Sequence, residues 1–257
     1  MKEKQLPMMN VLNGGYIFTI FVYWIIPYMF LPSLRPFLGH GFWNDLASLG
    51  WIDLICCAIN GGALILILKE HLQDTWFDVT VAPKDYIRAT LDAWMLMLLW
   101  VLFLMIGSHF LFAELSMPKN FFPISEFTMN MVPGLLLADH PIVTILVFTL
   151  LSPFAVGGMF YAVGFAPLAS RKPWLGYLNI VIVLLLTMFI KIFWYKDTLF
   201  TVLEFIIQLP VHLIACRAYR RTDNLWTPIF SIGLMNLTVS LLFLLLSCLT
   251  GSTAIAA

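Results

Sequence analysis

Glu204, Gln208, His212 and Cys216 recur every four residues within one apolar stretch. At about 100° per residue a step of four drifts by only about 40°, so on a helix these side chains form one slanting polar stripe. A carboxylate and an imidazole on such a stripe can do general acid–base work, and ionisable groups inside an apolar segment are costly enough to be functional candidates by default. Pro210 falls within the stripe and would free a backbone carbonyl near the same depth. Lys191, before the Tyr195-Lys196-Asp197 turn, could meet Glu204 across it. Two readings stand side by side: a binding or proton-handling site, or polar groups that satisfy one another between helices.

Other chemistry-bearing residues have plainer readings. Asp53 and Asp92 open apolar segments and read as interfacial caps. His109 and His140 fall at segment ends, and the adjacent Asp139-His140 pair cannot complete a metal site by itself. Cys56, Cys57, Cys216 and Cys248 form no spaced CxxC pair, which argues against a disulfide framework or a thiolate zinc site. HExxH, Walker, GxSxG and GxGxxG patterns are absent. The methionines between 91 and 112 read as packing. No cofactor is expected.

The elements that carry these residues are set by composition. Of 257 residues 61% are hydrophobic and 11% charged, with mean hydropathy +0.92. Soluble domains are about 25% charged, so the expected fold class is an all-α polytopic membrane protein. Fourteen Lys and Arg balance fourteen Asp and Glu, and no basic cluster suggests a nucleic-acid partner. A span needs about 20 apolar residues. Seven segments qualify, at about 14–32, 50–69, 91–112, 141–166, 175–195, 199–219 and 225–249. The stretch 120–139, carrying two prolines, is either re-entrant or an eighth span. The basic start MKEKQ precedes an apolar run, but no small-residue cleavage site follows Leu31, so that run reads as a retained first span.

With the N-terminus in the cytoplasm, Lys2, Lys4, Lys69, Lys84, Arg88, Arg171, Lys172, Arg217, Arg220 and Arg221 lie inside. Arg35, Lys119, Lys191 and Lys196 lie outside or near the outer interface. Ten against four supports this orientation. The polar connections, at about 33–49, 70–90 and 113–140, are too short for a soluble core. The chain divides into N-terminal helices and loops (1–140), a helical core (141–249) and a tail (250–257).

That core resembles a known family. PFAVGGMFYAVGF, from Pro153 to Phe165, is similar without gaps to the PxxEExxFRGxxF stretch of the CPBP family, the CAAX-prenyl endopeptidases and bacteriocin-processing or immunity (Abi) proteins. YRRTDNLWTPI, from Tyr219 to Ile229, looks like its YxRTGxLWxxI turn, and the following FSIGLMN, ending at Asn236, stands where the family has HxxxN. Arg171-Lys172-Pro173-Trp174 fits the basic turn after the first motif helix. The likeness covers about 145–245.

Active members of the family are held to be intramembrane proteases using paired Glu, two His and an Asn. Here the paired Glu positions hold Val156 and Gly157, the Arg position Tyr161 and the last His position Ile232, while Asn236 is kept. No histidine lies between His140 and His212, so the family's FxxxH motif is missing. The resemblance therefore implies a pseudoprotease that binds a membrane protein, peptide or lipidated ligand among the membrane lipids, in an immunity or envelope-regulating role in a bacterial cytoplasmic membrane. Gly157, Gly158 and Gly164 would either open its cavity or serve tight helix packing. The alternative is a membrane enzyme with a repurposed site of Glu204, Gln208, His212 and Asn236 acting on a peptide, acyl or prenyl substrate. A small transporter is a third reading, for which no symmetric pairing of halves is visible.

Overall fold

A computed structural model describes residues 68–114, 141–195 and 198–249, with isolated positions between 58 and 66. Among these residues there are helices and short turns and no strand, as the all-α expectation requires. The elements are α1 (Lys69–Val81), α2 (Pro83–Glu114), a helical run over 141–169 (α3), α4 (Pro173–Tyr195), α5 (Thr198–Thr222) and α6 (Trp226–Leu249). The span expected at 14–32, most of that at 50–69, the stretch 120–139 and the tail lie outside the described residues. So do Asp53, Cys56, Cys57, Asp139, His140 and the side chains of His109 and Cys248. Two helical stretches, Pro83–Leu104 and Ile142–Ala169, are long and apolar enough to cross a membrane by length and composition.

α2 packs along α5 and α6, α4 lies against α5 and α3, and α6 covers α3. The last three helices begin and end within three residues of the bounds expected from hydropathy. The 70–90 connection differs: it is helical, made of α1 and the first turns of α2. Pro83, which lacks an N–H, separates the two helices and then suits the first position of α2, with Asp85 in the first turn. Asp92 is therefore not a cap. It lies inside α2 and pairs with Arg221 of α5 at 2.8 Å.

The turn between α5 and α6 is built by specific groups. Arg220 and Arg221 occupy the last turn of α5, where cations suit the dipole. Asp223 then takes φ 49° and donates its N–H to the Tyr219 carbonyl at 2.7 Å, ending the helix in the left-handed region. Asn224 Oδ1 accepts the Trp226 N–H at the start of α6, and its Nδ2 donates to the Thr75 carbonyl of α1 at 2.8 Å. Trp226 Nε1 donates to the Leu72 carbonyl at 2.9 Å. The turn thus holds α1 against the bundle.

α3 is not a plain α-helix. It widens to π geometry over Val147–Leu151 and again over Gly157–Phe165. Such widened turns leave carbonyls for outside donors and recur at functional sites.

Candidate functional site

The stripe on α5 faces the interior from His212 onward. His212 is 8% exposed and Cys216 is fully buried. The His212 ring stacks on Phe160 of α3, centroids 4.4 Å apart and 18° from parallel. Its Nδ1 lies 2.9 Å from the Tyr161 hydroxyl. The Tyr161 hydroxyl and His212 Nδ1 are thus each other's hydrogen-bond partner in the bundle interior, the donor being set by the imidazole tautomer. Gln208 is half-buried and also has an interaction partner. α5 continues through Pro210 without a break. Trp100 of α2 donates Nε1–H to the Ile207 carbonyl at 3.3 Å, one residue from the carbonyl that Pro210 cannot bond. Lys191 and Glu204 lie on adjacent helices, and their side chains fall outside the described residues.

Asn236 makes its hydrogen bond to α3. Its Nδ2 donates to the Phe148 carbonyl at 2.7 Å, and the reason lies in Pro153. Within the first π segment Ser152 donates back five residues, to the Val147 carbonyl. Pro153, the next residue, has no N–H for Phe148 in the same pattern. Asn236 supplies the missing donor from α6. One turn earlier on α6, a Cβ on Gly233 would stand 2.9 Å from the Thr149 carbonyl, so glycine lets the two backbones approach. A second asparagine serves the other π segment: Asn179 of α4 donates Nδ2–H to the Gly164 carbonyl at 2.8 Å.

Two further motif positions, Gly157 and Ile232, are packed. A Cβ on Gly157 would lie 2.7 Å from Ile229 Cγ1, so of the two roles considered for this glycine the geometry supports close packing. Ile232 is buried in the same hydrophobic core as Tyr161, Ile229 and Val211. The side chain of Val156 is outside the described residues. Among the described residues no three His, Cys, Asp or Glu side chains come within reach of one metal ion. The sequence offered no signal for the Tyr161–His212 bond or the Pro153–Asn236 compensation, because each joins residues on different helices.

Compared with known proteins, the chain matches no family model, no curated protein and no solved structure.

Proposed function

We propose that this chain is a polytopic membrane protein with a CPBP-like helical core that has lost the protease chemistry and acts by binding. Its ligand would be a membrane protein, a peptide or a lipidated molecule, in an immunity or envelope-regulating role. The carrying observation is the fate of the polar groups at the motif positions. Tyr161, at the Arg position, is bonded to His212. Asn236, the one motif residue kept, is committed to a backbone carbonyl that Pro153 leaves open. Groups tied up in this way are not free to activate water or hold an oxyanion. Asp223, with φ 49°, stands where the family's turn has glycine, the residue best suited to that region.

The membrane reading draws on the exterior. Leu99, Phe103, Ile142, Leu186, Phe189 and Leu245 are each more than half exposed on long helices, surface that lipid tails would cover. Lys84, Arg88, Arg171, Lys172, Arg217, Arg220 and Arg221 gather at one end, around the α1–α2 corner and the two turns that flank α4 and α6. That end would be cytoplasmic. With the spans expected from hydropathy at about 14–32 and 50–69, this would be the seven-span, N-inside topology.

Impermeant labelling of single cysteines tests the topology: positions 171 and 222 should react from the cytoplasmic face and position 197 from the other. A pull-down from native membranes, wild type beside a Tyr161→Phe/His212→Ala variant, tests the binding role. A stoichiometric protein partner kept by both forms supports it. A small ligand kept by the wild type and lost by the variant would instead make the His212 region a working site and end the pseudoprotease reading.

A further inference from the structure

Two grooves meet at Arg221 on the charged end of the bundle. The first, about 450 Å³, runs between α2 and α5, over a floor of Ala89, Ala93 and Ala218, with Asp92, Arg217 and Arg221 on its walls. The second, about 370 Å³, continues toward the α1–α2 corner past Asp85 and Arg88. Three alanines at the helix crossing are what keep the cleft open, since longer side chains would fill it.

Three guanidiniums therefore face two carboxylates. Arg221 is held by Asp92 through one nitrogen, Nη1, and both side chains of that pair are more than half exposed, which makes it a weak pair that an incoming anion can displace. Arg217 is exposed and has no carboxylate partner among the described residues. Apolar surface begins where the charges stop. Leu96, Leu99 and Phe103 stand on the same face of α2 as Asp92, at i+4, i+7 and i+11, and all three are exposed. From Asp92 to Phe103 the helix rises about 16 Å, close to half of the roughly 30 Å hydrocarbon thickness of a bilayer.

We propose that this cleft is a binding site for an anionic diacyl phospholipid of the cytoplasmic leaflet. The phosphate sits between Arg217 and Arg221, with Arg88 reached by the rest of the headgroup, and one acyl chain lies along Leu96, Leu99 and Phe103. Planar guanidiniums bind phosphate through paired N–H donors, and basic pockets between helices on the cytoplasmic side suit such headgroups. The proposal rests on the membrane reading above.

The test is native mass spectrometry of the full chain released from vesicles of phosphatidylglycerol and phosphatidylcholine. The wild type should retain phosphatidylglycerol preferentially. Arg217→Gln and Arg221→Gln should each weaken retention about fivefold, and Asp92→Asn should strengthen it. Arg220→Gln, at the same helix end but lining neither groove, should leave it unchanged. Equal loss in all three arginine variants would reduce the effect to general surface charge and overturn the site. Displacement of the lipid by inorganic phosphate would overturn it in favour of a free anion. A chain extracted by alkaline carbonate would overturn the membrane reading itself, whereas an integral chain with no preference for phosphatidylglycerol would overturn this site and leave that reading standing.

Discussion

The Tyr161 hydroxyl lies 2.9 Å from Nδ1 of His212 in the bundle interior, where both residues are buried and the imidazole lies flat on Phe160. Polar hydrogen bonds between helices in a membrane are individually modest, about 0.6–2 kcal/mol, but a group left without its partner pays a desolvation cost as well. Tyr161→Phe and His212→Leu should therefore each lower stability by about 1–2 kcal/mol, while the double variant should lose less than their sum. Thermal unfolding of the four forms in one detergent measures the coupling. Strict additivity would mean that the pair does not stabilise the fold.

Asn236 and Pro153 make a second linked pair. Asn236→Leu removes the donor to the Phe148 carbonyl and should cost about 1–3 kcal/mol. Pro153→Ala restores an N–H within α3 and should recover part of that loss in the double variant, as read by the same unfolding assay. No recovery would show that Asn236 matters for something other than the carbonyl left open by the proline.

Two glycines should respond differently to the same substitution. Gly157→Ala drives a methyl into the Ile229 side chain, an overpacking worth about 1–3 kcal/mol, and Ile229→Ala should relieve it. Gly233→Ala meets the Thr149 carbonyl of the α3 backbone, with Pro153 Cγ at 3.6 Å, so no side-chain truncation at Thr149 should help. Rescue of Gly157→Ala by Ile229→Ala, with none of Gly233→Ala by Thr149→Ala, is the expected pattern in unfolding midpoints.

At Asp223 the backbone is left-handed, φ 49°. For a non-glycine residue this conformation costs roughly 1–2 kcal/mol, less for Asp than for β-branched side chains. Asp223→Gly should raise stability by up to about 1 kcal/mol, and Asp223→Val should lower it by about 1–2 kcal/mol. If both variants unfold with the wild type, the turn is not holding that conformation.

Much of the fold was legible along the chain because its signals are local. Long apolar runs punctuated by Arg171-Lys172-Pro173 and Thr222-Asp223-Asn224 mark where α4 and α6 begin, since charge and left-handed turns cannot sit within an apolar helix. The helical nature of 70–90 was hidden because α1 is polar and buries little beyond Leu72 and Thr75. Its place depends on Asn224 and Trp226, which reach it from about 150 residues away. The stripe of Glu204, Gln208, His212 and Cys216 could be drawn from spacing alone. Spacing could not supply what meets it, because the Tyr161 hydroxyl and the Phe160 ring come from α3.

By itself, then, the sequence determined the all-helical class, the ends of α4, α5 and α6, and the gathering of basic residues at recurring turns. These follow from hydrophobic burial and backbone chemistry that each segment carries within itself. The tertiary structure alone decided the use of the polar groups: His212 bonded to Tyr161, Asn236 spent on Phe148, and Arg221 drawn to Asp92 beside an open cleft. Hydrogen bonds and ion pairs of this kind join residues far apart in the chain, and their partners exist only once the helices have packed.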